Sequence, residues 1–261
     1  MRIALDAGEA AGRLLLARQH GIRQAATKSS PTDPVTDADR AAEHQVVEVI
    51  HGKRPDDTIL AEEGTELAGT SGLRWVIDPL DGTVNYLYQR PGWAVSIAVE
   101  DATGPLVGVV VDPMAGETFH AVRGRGAYRD RERLRVNDPV SARMALVGTG
   151  FSYRPESRHR QSQLLAGLLP AVRDIRRSGT CAGDRCALAA GRLDTFIEDE
   201  LSPWDWAAGA LIAREAGATV TPVRATEHKP GLMAAGPALH TELHTLIEHL
   251  TEIGTENKKT T

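Results

Sequence analysis

Two aspartates, Asp78 and Asp81, stand three residues apart in the stretch WVIDPLDGTVNY, Trp75 to Tyr86. Directly before them Trp75, Val76 and Ile77 read as a buried strand. A tight turn accounts for one aspartate, since Pro79 fixes a backbone dihedral and Asp81 followed by Gly82 supplies the bend. It does not account for two. Carboxylates about 4 Å apart repel by roughly 4 kcal/mol at an effective dielectric of about 20, so a positive charge is expected between them. The donors are all oxygens, the Leu80 carbonyl is at hand, and no histidine or cysteine lies in the stretch, which suits magnesium better than zinc. The spacing is not that of a calcium EF-hand loop, and the order Asp-Gly-Thr is the reverse of the aspartic-protease Asp-Thr-Gly. Gly82 lets the backbone approach a ligand closely, and a short helix starting near Thr83 would turn its free amides toward an anion. A phosphate beside magnesium follows as the first expectation.

One turn of chain seldom supplies enough ligands, so further acids are needed. Glu62 and Glu63 stand at the end of the strand-like run in TILAEEGTE, although taken alone the segment reads more readily as an ordinary polar loop. In SPWDWAAGALIAREAGATV, Ser202 reads as a helix N-cap, Pro203 as the first helical residue and Asp205 as the acid of a capping box. Thr36 and Asp39 repeat that relation in TDAD. Each acid taken alone has a structural explanation; their coincidence with the double-aspartate turn favours a site.

The elements that must position these residues alternate along the chain. The first 21 residues space Ile3, Ala7, Ala10, Leu14 and Leu15 for one helical face, with charges that exclude a signal peptide or membrane span. A second helical pattern sets Ala42, Val46, Val49 and Ile50 on one side and ends at Gly52. The segments WAVSIAVED, PLVGVVVD and ETFHAV read as a strand meander. From about Ser141, short strands in MALVGTG, VRDIRR and TFIED each precede a helix. The expected organisation is a half over 1–140 carrying most metal ligands, a half over 141–252 completing the site, and a frayed tail over 253–261.

The 261 residues carry a formal charge of −5, which gives no basic field for a nucleic-acid backbone, and Arg173, Arg176 and Arg177 read as a solvated face or subunit contact. Two cysteines, Cys181 and Cys186, allow neither a disulfide scaffold nor a repeated zinc motif and fit a reducing cytoplasm.

Four segments, KSSPTDPVTDAD, AEEG, WVIDPLDGTVNY and WDWAAGALIAREAGATV, in this order and at these separations, resemble the inositol monophosphatase family of magnesium-dependent, lithium-sensitive sugar phosphatases. The likeness runs from about Ala4 to the final helix. It implies a layered α/β fold, an αβαβα sandwich, in a cytoplasmic homodimer that acts on a small phosphomonoester and binds neither nucleic acid nor membrane. It implies two or three magnesium ions held by Glu62, Asp78, the Leu80 carbonyl, Asp81 and Asp205. Lys28 matches a supporting position; Asp39 and Thr83 match those that orient the attacking water and, with Glu62, make up the implied catalytic set. Gly82 and Thr83 match positions whose amides meet the phosphate, while Cys181, Glu198 and Asp205 fall beside the substrate.

Glu198, seven residues before Asp205, matches a position that accepts hydrogen bonds from substrate hydroxyls, and a carboxylate there would also suit an amine. Cys181 stands where the family more often has alanine or serine, and Gly183 and Arg185 stand where it is usually apolar. With no adjacent base, Cys181 reads as a packing residue and not as a nucleophile. The resulting expectation is a phosphomonoesterase acting on inositol monophosphate by metal-activated water. The rivals are histidinol-phosphate phosphatase and, of another class, a regulatory protein that keeps the metal and anion sites for recognition.

Overall fold

Small residues decide how the first helix docks. In the computed structural model, which describes residues 1–19, 26–28, 33–223 and 231–256, helix α1 (Arg2–Arg18) buries Ala4, Ala7, Ala11 and Leu15 with Gly8 and Gly12. Ile3 and Leu14, expected on that face, pack at its edge. The face turns toward its smallest residues because the helix lies close on the sheet: a Cβ on Gly12 would come within 2.9 Å of Pro113, and one on Gly8 within 3.0 Å of Val111.

After α1 come the paired short strands β1 (Ala26–Thr27) and β2 (Pro34–Val35), then α2 (Asp37–Lys53). The strands β3 (Thr58–Ala61), β4 (Glu66–Leu67) and β5 (Arg74–Asp81) lead to the one-turn helix α3 (Thr83–Leu87). The expected meander follows as β6 (Ala94–Asp101), β7 (Gly104–Asp112) and β8 (Glu117–Val122), extended by β9 (Ala127–Arg129) and β10 (Glu132–Arg133). The remaining elements are β11 (Leu146–Thr149), α4 (Pro155–Leu168), β12 (Asp174–Arg176), α5 (Cys181–Ala189), β13 (Thr195–Glu198), α6 (Pro203–Glu215), β14 (Thr219–Val223), β15 (Gly231–Ala235) and α7 (Pro237–Glu256).

Eight strands form one sheet in the order β10-β9-β8-β7-β6-β5-β3-β4, antiparallel except where β3 runs parallel to β5. Five form a second sheet in the order β12-β11-β13-β15-β14. Helices α1 and α2 cover one face of the large sheet through Ala42, Val46 and Ile50 against Ile59, Trp75, Ile77 and Ile97. On its other face Val76, Ala94, Val110 and Phe119 meet Ala182 and Cys186 of α5 and Ala208 and Leu211 of α6. Leu188 and Ala213 of the same two helices also pack on Phe196 and Ala234 of the small sheet. The outer face of that sheet is closed by Leu168 beside α7 residues Leu239 and Leu243. The layers are therefore α, β, α, β, α, as the resemblance implied, and the middle layer joins the two expected halves in one core. Helix α7 continues through Glu256, past the expected start of a tail at 253, and residues 257–261 lie outside those described, as do Ser29 to Thr32 of the first family-like segment.

Candidate active site

The double-aspartate turn is a bulge in a buried strand. Asp78 pairs with Ser96 and Asp81 with Ala94, so three residue steps on β5 face two on β6. That irregularity, at the position of Pro79, lets both carboxylates and the Leu80 carbonyl face one cavity. Asp78 is 2 % exposed and Asp81 8 %. Gly82 follows at φ 94°, where a Cβ would lie 2.7 Å from the Gly92 carbonyl, and it caps α3. Only glycine fits this left-handed, crowded position. The expected short helix does begin at Thr83.

The cavity, about 490 Å³, lies where the C-terminal end of β5 meets the N-termini of α3, α5 and α6 and the end of β13. It is lined by Lys28, Glu62, Asp78, Leu80, Asp81, Gly82, Thr83, Cys181, Glu198 and Asp205, which are all of the site residues expected from sequence except Asp39. Asp39 lies directly behind: Thr83 Oγ1 stands 3.0 Å from Asp39 Oδ1 and 3.1 Å from the Leu80 carbonyl. Asp39 also completes a capping box with Thr36 at the start of α2, so the structural explanation of this acid holds while its other oxygen meets Thr83. Asp205 does likewise, accepting the Ser202 amide at 2.6 Å in the capping box of α6.

Charge in the cavity is strongly one-sided. Burial raises the Asp78 carboxyl well above its usual range, and the negative charges of Glu62, Asp81 and Asp205 add to the rise. Asp205 is raised for the same reasons, burial first and then Glu62, against the Ser202 amide. Burial also raises Asp81, opposed by Thr180 and by the backbone amides of Ala182 and Cys181, which donate to it at 2.7 and 3.1 Å. Asp39 is raised by burial in spite of Thr36, Lys28 and Thr83. The ammonium of Lys28 stands 2.9 Å from Glu62 and also meets Glu63; burial works against its charge, but these two carboxylates outweigh burial and raise its pKa. Glu198 is pushed up to about 7 by burial, against the pull of Arg185 and Cys181.

In this arrangement Glu62, Asp81 and Asp205 are each engaged by protein donors, and among the described residues no three acidic, histidine or cysteine side chains converge at metal-ligand distance. The donor set nevertheless suits a hard cation: it is all oxygen, buried, and in electrostatic excess at one point.

Several residues of the site were not found from the sequence. Glu43, one turn beyond Asp39 on α2, accepts the Glu63 amide at 2.7 Å and the Thr65 amide at 3.1 Å, anchoring the turn that carries Glu62. Thr180 caps α5 and donates to Asp81; Asp184, whose carboxyl burial pushes up to about 6, also lines the cavity. Arg177, read as part of a solvated face or subunit contact, lines the cavity mouth with Arg154 and Tyr153. Nothing in its local sequence separates it from Arg176, which pairs with Asp174 instead. Cys181 is half-buried with a thiol raised well above its usual pKa, chiefly by burial, in keeping with the expectation that it is no nucleophile.

An αβαβα sandwich with an all-oxygen acidic cavity at the ends of its inner helices has the build of a sugar phosphatase. The chain belongs to the inositol monophosphatase family, whose model matches residues 1–254. An inositol-1-monophosphatase of Mycobacterium bovis is 44% identical over 227 residues, covering 83% of this chain and 78% of that protein. A protein named Nus factor SuhB, from Haemophilus influenzae, is 40% identical over 224 residues, 84% of each chain. The solved structure of the extragenic suppressor protein suhB from Bartonella henselae superposes with a TM-score of 0.89 at 35% identity, covering 95% of this chain and 97% of that one. The family is typically magnesium-dependent. No helix among the described residues is long and apolar enough to cross a membrane.

Proposed function

We propose that this protein is a magnesium-dependent phosphomonoesterase that hydrolyses a small polyol phosphate, inositol monophosphate first, and releases inorganic phosphate. The observation that carries the reading is the gathering of Glu62, Asp78, Asp81 and Asp205, from three separate stretches of chain, around one cavity where burial, and then the neighbouring negative charges, raise the proton affinity of Asp78, Asp81 and Asp205. Two or three ions would be held by these carboxylates and the Leu80 carbonyl. Bound magnesium would lower the pKa of a coordinated water and neutralise charge on the phosphoryl oxygens.

The remaining roles belong to the chain itself. Thr83 and Asp39, hydrogen-bonded to each other, orient the attacking water. The backbone at Gly82 and Thr83 faces the phosphate. Lys28 holds Glu62 in place. Glu198, whose carboxylate fits only because position 150 is glycine, accepts hydrogen bonds from substrate hydroxyls, beside Cys181 and Asp205. A homodimer in a reducing cytoplasm completes the reading, supported by the family and by two free cysteines; sedimentation velocity tests the dimer.

The rival of another class, a recognition protein that keeps the fold, accords with the relatives named as Nus factors, but the complete acid set favours catalysis. The test is phosphate release with magnesium over inositol phosphates, histidinol phosphate, fructose 1,6-bisphosphate and adenosine 3′,5′-bisphosphate. A single clear preference for an inositol phosphate, abolished by chelation and suppressed by lithium, is expected. Turnover that survives exhaustive chelation would overturn the reading.

A further inference from the structure

Arg185 carries a formal charge into a part of the core with no access to solvent: its relative exposure is 0 %. It stands on α5 among Ala182, Cys186 and Leu188, at a position where the family resemblance leads one to expect an apolar residue. Its space comes from Gly209 on α6, where a Cβ would lie 3.0 Å from Arg185 Cβ and 3.1 Å from its Cδ. Nη1 donates to the carbonyls of Cys181 at 3.2 Å and Asp205 at 3.3 Å, and also to Cys181 Sγ. The guanidinium carbon sits 4.7 Å above the centre of the Phe196 ring. Nε and Nη2 are buried with no hydrogen-bond partner among the described residues.

A guanidinium so placed needs opposite charge nearby, because its own hydrogen bonds go only to neutral atoms. Glu198 and Asp205 supply it. Asp205 belongs to the acid cluster at the phosphate end of the cavity, which leaves Glu198 as the counter-charge at the other end. Phe196 and Glu198 are two residues apart on β13 and so share the face turned toward Arg185. Cys181 joins Arg185 to the cavity: its sulfur accepts from Arg185, and the residue lines the cavity together with Glu198, whose carboxyl both Arg185 and Cys181 pull down against the effect of burial.

We propose that Arg185 is a positioning residue for substrate selection, acting through Cys181 and Glu198. It fixes the Glu198 carboxylate as an acceptor for hydroxyls and balances its charge, so that the cavity favours a neutral polyol phosphate over a phosphate ester bearing an ammonium group. A lone buried carboxylate would attract an ammonium strongly; a carboxylate whose charge is offset by a nearby buried guanidinium retains its hydrogen-bond acceptors but offers a cation little net attraction. The inference rests on the phosphatase reading above and decides between its polyol and amino-alcohol substrates.

The test compares kcat/KM with magnesium for inositol 1-phosphate, histidinol phosphate and 4-nitrophenyl phosphate. In Arg185→Leu the ratio of the inositol to the histidinol ester is expected to fall at least tenfold, and Arg185→Lys, which keeps the charge, should restore most of it. On a Glu198→Gln background Arg185→Leu should no longer move the ratio. Should the leucine variant fail to fold, Arg185→Gln is read in the same way. A ratio unchanged in the neutral variants, or all three esters falling by one common factor, overturns the selection role and leaves the phosphatase reading standing. Wild-type protein that releases phosphate from none of the three overturns both.

Discussion

Asp81 shows how one side chain can serve two purposes. It accepts from Thr180 and from the first amides of α5, so it stabilises a helix terminus, and it faces the cavity beside Asp78. If the turn were its only task, Asp81→Asn would be nearly silent. As a metal ligand, its loss should lower kcat/KM by more than the ~10–100-fold typical of groups one step removed from the ion. Phosphate-release rates check this. Melting curves without metal should differ little from wild type, since relief of repulsion toward Asp78 offsets weaker bonds to α5, whereas the rise in melting temperature on adding magnesium should shrink. A variant that keeps both turnover and that rise would return the aspartate to an ordinary bend. At this scale the acids were legible because like charges crowded into one turn have few structural explanations. Glu43 and Thr180 were not, because a single helical glutamate and a single threonine before a helix carry no such signal; only the folded chain shows which amides and carboxylates they meet.

At the level of elements, the site depends on how closely its carriers approach one another. Glu43 on α2 binds the Glu63 and Thr65 amides and so fixes the turn after β3. In Glu43→Gln one acceptor becomes a donor facing a donor, a mismatch of about 1–3 kcal/mol. The expected result is a tenfold or greater rise in the magnesium concentration needed for half-maximal activity, read from a magnesium titration of the rate, with a smaller change in the rate at saturation. Gly108 on β7 brings α6 down onto the large sheet: a Cβ there would lie 2.8 Å from the Ala208 carbonyl. Gly108→Ala must therefore displace α6, and with it Asp205. A loss of about 1–3 kcal/mol in urea unfolding, accompanied by lower activity, is expected. The strand meander and the alternating second half were readable because their apolar runs are bounded by Pro, Gly and Asp. The face of α1 was misread by part of a turn because periodicity weighs large apolar residues, whereas contact with β7 selects alanine and glycine.

For the molecule as a whole, the concentration of raised carboxyls sets a pH dependence of stability. Glu63 and Glu198 titrate near 7 and Asp184 near 6 in the metal-free fold, against ordinary values of about 4. A raised folded-state value means that the folded protein binds protons more tightly than the unfolded chain. Stability is then full below about pH 4 for these groups and is lost as pH rises through their folded values. With a chelator present, the melting temperature should therefore fall between about pH 5 and pH 7.5, and saturating magnesium should flatten that slope. A chelated protein whose melting temperature rises across this window would contradict the charge distribution of the cavity. The middle helical layer has a consequence of another kind, for synthesis on the ribosome. The face of the large sheet formed by Val76, Ala94, Ala98, Val110, Phe119 and Ala121 is covered chiefly by helices α5 and α6, through residues from Ala182 onward. At a translation rate of about 5–20 residues per second, that face waits several seconds for its cover to emerge. A growing chain that has completed its meander is thus a natural client for a chaperone that shields flat apolar surface, and slow decoding between codons 123 and 181 would lengthen its exposure.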